Sequence, residues 1–209
     1  MKFAYILISI ILGYGFGCFQ TAYIIGRFNH IDIREYGSGN AGTTNALRTL
    51  GKSAALLTFL GDALKGMFAV WIVRFLVAPM VPELNETLLC LITGFFAVLG
   101  HNFPCYLKFR GGKGIATTAA ITMAIDWRMG LVSLIIFVSV TALTRYVSVA
   151  SITLLVAFPI TLTIFHRGEP QFSYMLLIAL CYSVLGIYRH HGNIQRLLTG
   201  TENRLGSKK

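Results

Sequence analysis

The sequence predicts an all-α, polytopic integral membrane protein with seven transmembrane helices, its N-terminus outside and its C-terminus in the cytoplasm. Three observations lead there. Charged residues make up only 12% of the 209-residue chain, against about 25% in a typical soluble domain. Mean hydropathy is +0.68, with 55% hydrophobic residues. Lysine and arginine collect in alternate gaps between the apolar runs. Seven spans of roughly 20 residues would use about 140 positions, so residues 1–209 read as a single transmembrane domain with short loops.

The apolar segments run over about 3–26, 53–77, 85–107, 113–125, 129–144, 147–165 and 171–188. The first follows Lys2, exceeds the apolar core of a signal peptide and leads straight into further spans, so it reads as retained. Its Gly13, Gly15 and Gly17 would permit close helix contact. The second carries Asp62 and Lys65 on one helical face, and Pro79, Pro82, Glu83 and Glu86 mark an outer turn after it. The fourth is short and rich in threonine and alanine, beginning directly after Gly111 and Gly112. Pro159 is expected to kink the sixth. Trp71 and Trp127 fall toward the outer ends, where interfacial aromatics belong.

Charge sets the orientation. With the N-terminus outside and seven crossings, thirteen basic residues face inward: Arg27, Arg34, Arg48, Lys52, Lys108, Arg110, Lys113, Arg145, Arg189, Arg196, Arg204, Lys208 and Lys209. Lys2, Arg128 and Arg167 face outward, while Lys65 and Arg74 lie within the second segment. This asymmetry obeys the positive-inside rule. If the fourth segment were re-entrant, the five C-terminal basic residues would face outward.

The net charge of +10 suits anionic lipid headgroups and phosphorylated ligands, not nucleic acid, because no stretch alternates basic with exposed aromatic residues. Cys18, Cys90, Cys105 and Cys181 lack zinc-site spacing and read as small buried hydrophobes, so neither a metal nor another cofactor is expected.

Four polar clusters converge on the inner side. The first spans 35–48: Gly37, Gly39 and Gly42 can turn the backbone to expose N–H groups, and Ser38, Asn40, Thr43, Thr44, Asn45 and Arg48 add donors. The second joins His101 and Asn102 to Lys108, Arg110, Gly111, Gly112, Lys113 and Gly114. It places a lysine where a helix begins and an anion is favoured, without the spacing of a P-loop. The third is the short turn at Arg145 and Ser148; the fourth, Arg189-His190-His191-Gly192-Asn193, follows the last span and reads alternatively as a basic surface tail. Asp62 and Lys65 admit two readings, a structural ion pair or a support for the inner loops and site.

These clusters resemble the bacterial acyl-phosphate:glycerol-3-phosphate acyltransferases of the PlsY family. GSGNAGTTNALRTLG (37–51), DALKG (62–66), LGHNFPCYLKFRGGKGIAT (99–117) and RHHGNIQRLLTGTE (189–202) are similar to its motifs in order and spacing. Thr43 stands where alanine is common, and Arg110 where lysine is. The resemblance implies a seven-helix enzyme of the bacterial plasma (inner) membrane with its active site facing the cytoplasm. It implies transfer of a fatty acyl group from acyl phosphate to the 1-hydroxyl of sn-glycerol 3-phosphate, giving lysophosphatidate and inorganic phosphate. Lys113, His190, Ser148 and Asn193 become the candidate catalytic residues. Ser38, Gly39, Asn40, Gly42, Thr43, Asn45, Arg48, His101, Gly111, Gly112, Gly114 and Arg189 become candidates for substrate and phosphate binding, supported by the Asp62–Lys65 pair. Without a serine in a G-x-S-x-G elbow, direct transfer is expected rather than an acyl-enzyme. Either His190 or the substrate's own phosphate could serve as base. A phosphate-ester transporter is the competing class, but no internal repeat supports it.

Overall fold

The computed structural model describes residues 2–206, so Lys208 and Lys209 of the charge count lie outside the described residues. Ten α-helices follow one another: α1 Lys2–Cys18, α2 Thr21–Phe28, α3 Thr43–Thr49, α4 Lys52–Ile72, α5 Glu86–Asn102, α6 Ile115–Ile125, α7 Trp127–Thr144, α8 Val147–His166, α9 Phe172–Arg189 and α10 His191–Leu198. No strand occurs among the described residues. Among the described residues, six helical stretches are long and apolar enough to cross a membrane: Lys2–Phe28, Lys52–Met80, Glu86–Leu107, Trp127–Thr144, Val147–His166 and Phe172–Arg189. The fourth sequence segment is α6, whose 11 residues rise only about 16 Å.

Apolar side chains clothe the outside. Leu131, Leu134, Ile135 and Val138 on α7, and Phe3, Leu7 and Ile11 on α1, are exposed, as lipid-facing positions would be. α5 is the hub, packing against α1, α4, α6 and α9. Around it Val70, Leu91, Ile121, Phe158, Leu162 and Tyr182 fill a core that takes in even the tyrosine ring, whose hydroxyl donates to Leu91 O at 3.1 Å. α1 and α5 approach so closely that a Cβ at Gly13 or Gly17 would collide with the carbonyl oxygens of Thr93 and Ala97. Gly15, grouped with them in the sequence, instead faces open space.

Three local features depart from the sequence expectation. The first span breaks at Phe19–Gln20, where the fully buried Gln20 donates through Nε2 to Gly17 O (3.3 Å) and His101 O (3.1 Å). α4 continues as a π-helical stretch, Val73–Val77, before a 3₁₀ turn at Ala78–Met80. Of the four cysteines only Cys90 is buried; Cys18 and Cys181 are half-buried and Cys105 is exposed in the turn after α5. That turn is held by backbone bonds and by Tyr106, so the thiol is not needed for packing.

Polar side chains gather at two poles. At one, Arg74 meets Glu86 and the last carbonyls of α6, while Asp126 meets Arg128 and His166. The ends of α4, α6 and α8 and the starts of α5, α7 and α9 therefore lie there. At the other, Lys113 contacts Asn193, Arg189 contacts Gly112, and Ser148 contacts Glu202. Short as it is, α6 runs from one pole to the other.

Candidate active site

The first loop is built around Asn45, which sits in the first turn of α3 and is fully buried. Its Nδ2 donates to Ile33 O and Tyr36 O, both at 3.0 Å, and its Oδ1 accepts from Ser38 N at 2.8 Å. Gly37 adopts φ +61° against this amide, a turn that an L side chain would strain and block. Asn45 thus shapes the loop, leaving Ser38 and Gly39 exposed on it and Asn40 half-buried. Arg34 pairs with Asp32 (2.6 Å) and reaches Leu107 O (3.0 Å), which ties the loop to the turn preceding the glycine run.

Gly111 and Gly112 form an extended stretch whose amides donate to Asn102 O and His101 O, both at 3.1 Å. A Cβ on Gly112 would strike the His101 ring and come 2.7 Å from Ala41 O, so only glycine lets the two loops meet. Gly114 adopts φ +80° as the N-cap of α6. Lys113 lies between, half-buried, with its ammonium donating to Asn193 Oδ1. Burial first, then the charges of Arg196, Arg189 and Arg48, lower its pKa from 10.5 to about 8; Glu202 partly opposes them. Arg48, exposed on α3, is therefore electrostatically part of this cluster.

The end of α9 and the start of α10 complete the arrangement. His190 is buried, and its Nδ1 lies 2.7 Å from Gly186 O. A carbonyl can only accept, so Nδ1 carries the proton and Nε2 keeps its lone pair. Burial and then the Lys113 charge lower the pKa of His190 from 6.5 to about 4, so the ring is neutral at pH 7. Arg189 donates to Gly112 O (2.9 Å) and Gly111 O (3.3 Å) while lying over the Phe103 ring. It grips the glycine stretch from outside.

Glu202, quoted within the last motif but not singled out among the site residues, is the hub of this region. It accepts from Asn193 Nδ2 (2.8 Å), Arg196 Nε (2.8 Å) and Ser148 Oγ (3.2 Å). Its side chain is 5% exposed. Ser148 is brought to Asn193 and Lys113 only through this carboxylate. Thr43 Oγ1, at the start of α3, is buried without a hydrogen-bond partner among the described residues.

A helical body with an apolar belt, and at one pole a basic cluster around a glycine stretch, defines an integral membrane protein whose site suits phosphate esters. Residues 7–200 match the family model described as glycerol-3-phosphate acyltransferase. The glycerol-3-phosphate acyltransferase of Thermoanaerobacter pseudethanolicus is 44% identical, with 98% of each chain covered. That of Clostridioides difficile is 41% identical over 99% of this chain and 98% of the relative. The crystal structure of PlsY, an integral membrane glycerol 3-phosphate acyltransferase, in its glycerol 3-phosphate form superposes with a TM-score of 0.85 at 35% identity, covering 96% of both chains. Its lysophosphatidic acid form gives 0.82 at 34% identity, over 96% of this chain and 95% of that one. The chain belongs to the glycerol-3-phosphate acyltransferase family, the PlsY family, and is an acyltransferase enzyme.

Proposed function

We propose that the protein transfers a fatty acyl group from acyl phosphate to the 1-hydroxyl of sn-glycerol 3-phosphate, releasing lysophosphatidate and inorganic phosphate. The carrying observation is the Lys113 ammonium, lodged on Asn193 beside the glycine stretch and close enough to depress His190. Lys113, Arg48 and those amides of the 37–45 loop not spent within it, as Ser38, Gly39, Gly42 and Asn45 are, receive phosphate; Asn40, Ser148 and Asn193 orient the hydroxyl and carbonyl. The neutral His190 offers Nε2 to the acceptor hydroxyl. With a conjugate-acid pKa of about 4 it is a weaker base than a phosphate dianion, whose second pKa is about 6. The substrate's own phosphate is therefore the better proton acceptor.

In the reaction, the hydroxyl oxygen attacks the acyl carbonyl carbon and its proton passes to phosphate. The acyl C–O bond breaks, and phosphate leaves with the bonding pair. Phosphate is already a good leaving group, so the main tasks are alignment and stabilisation by Lys113 of the negative charge developing on the departing phosphate. Direct transfer follows, with no serine acylated.

The reactive pole faces the cytoplasm of a bacterial plasma membrane, with seven crossings and the N-terminus outside. The pole-to-pole path of α6 and the basic surplus at the site pole support this arrangement. Anionic lipid headgroups flank that pole as electrostatic partners. Purified protein in detergent should form lysophosphatidate and phosphate in equal amounts from acyl phosphate and glycerol 3-phosphate. Label accumulating unchanged inside proteoliposomes would instead establish a transporter.

A further inference from the structure

Buried between α1, α4 and α5 is a charged group that the proposed chemistry does not use. Asp62, Lys65 and His101 are 2%, 5% and 2% exposed. Lys65 Nζ lies 3.0 Å from Asp62 Oδ1 and 2.8 Å from His101 Nδ1, and it also donates to Phe19 O at the break between α1 and α2. Thr21 Oγ1 adds a 3.3 Å bond to the Asp62 carboxylate. An ammonium only donates, so Nδ1 accepts and the His101 ring is held in one orientation. Such a pair adds little stability over apolar side chains of similar volume, because desolvation offsets the attraction. Its geometry points to another use.

Two contacts reach the segment that carries Lys113, one from His101 and one from the α4 main chain that the buried group anchors. Upstream, the Nε2–Cε1 end of the His101 ring packs against Gly112, and His101 O accepts from Gly112 N at 3.1 Å. Downstream, Asp62 O accepts from Thr117 Oγ1 at 2.9 Å, in the first turn of α6. Lys113 is thereby bracketed from both sides by one rigid element. We propose that Asp62, Lys65 and His101 are positioning residues: a buried strut that sets the depth of the glycine stretch, and so of the Lys113 ammonium, in the site. His101 then acts through Gly112 rather than on the substrate. This rests on the catalytic role proposed for Lys113.

The test is a double-mutant cycle in the detergent-purified full chain. Asp62→Asn with Lys65→Met removes both charges together, so no lone charge is left buried. The pair should lower kcat tenfold or more, while thermal unfolding and the KM for glycerol 3-phosphate change little. In a Lys113→Ala background the same pair should cost less than threefold further, because the ammonium it positions is gone. Thr117→Val, nearly isosteric, should lower kcat threefold to fivefold in the parent and not at all on top of Lys113→Ala; it carries the same test if the charge pair fails to fold. Losses that multiply unchanged in the Lys113→Ala background would overturn the strut, as would full activity of the folded charge-pair variant. If Lys113→Ala itself were fully active, the proposed role of Lys113 would fail first, and that result is read separately.

Discussion

The two poles hold similar residue types and use them differently. At the far pole, Asp126 is met by Arg128 (2.6 Å) and His166 (3.1 Å), Glu169 by His166 (2.6 Å) and Asn85 (2.9 Å), and Arg74 by Glu86 and two carbonyls of α6. An open cleft of about 580 Å³ lies there, lined by Arg74, Trp127 and Arg128, yet both arginines are already paired. At the site pole, Lys113 faces an amide oxygen, and Glu202 alone serves Ser148, Asn193 and Arg196. The proposed site is therefore placed not by cleft size but by the surplus of cations over carboxylates, because only unspent positive charge can receive an anionic substrate.

The largest contrast is in access. With the native cysteines replaced, Leu198→Cys, at an 84% exposed position of α10, should be protected from an impermeant thiol reagent in intact cells. Glu83→Cys at the far pole should react fully. Equal labelling, or the reverse, breaks the proposed orientation.

Next comes Lys113. Its replacement by alanine should lower kcat on the order of 100-fold, the loss of about 3 kcal/mol typical of one well-placed donor in a partly desolvated site. Arginine should also fail, because its planar fork does not fit between Gly112 and Gly114. Steady-state assays of monodisperse protein decide this; an arginine variant above half the parental kcat would reduce Lys113 to a topological or lipid-binding charge.

A smaller effect sharpens the same point through pH. Lys113 in the free enzyme loses its proton near pH 8, whereas bound phosphate favours the ammonium. The kcat/KM for glycerol 3-phosphate should thus be level just below pH 8 and fall up to tenfold per unit above it. Lys113→Arg, charged throughout, should lose that alkaline limb whatever its absolute rate. A limb that persists in the arginine variant assigns the titration elsewhere.

Much of this contrast was legible in the sequence, because a bilayer makes composition and charge placement strict. Apolar length marks the spans, and the glycine-rich loops announce themselves by residue type. What escaped is non-local. Glu202 lies 54 positions from Ser148, and no spacing rule connects them. Asn45 and Arg189 looked like free donors, but the first is consumed by its own loop and the second largely by glycine carbonyls. The break at Gln20 is not marked by hydropathy; its amide nitrogen donates to carbonyls on α1 and α5, partners that only the fold brings together. His101 is a candidate for phosphate binding through the family resemblance; folded, its ring is engaged by Lys65.

The smallest expected effect on chemistry is at the far pole, and it separates architecture from catalysis. Asp126 caps α7 through Arg128 N (2.8 Å), closes on the Arg128 guanidinium and meets His166 at the end of α8. Its side chain is 7% exposed, so these bonds are made where water competes poorly. Asp126→Asn keeps the shape and the cap acceptor but removes the charge that Arg128 and His166 face. A buried hydrogen-bonded charge lost in this way costs about 1–3 kcal/mol of stability. Thermal unfolding should drop by several degrees, while kcat per folded molecule stays within twofold of the parent. Arg128→Ala, removing a surface cation without leaving a buried donor, should move both quantities less. If Asp126→Asn lowered kcat tenfold in folded protein, the far pole would be coupled to the site through α6, and the division of labour between the poles would have to be abandoned.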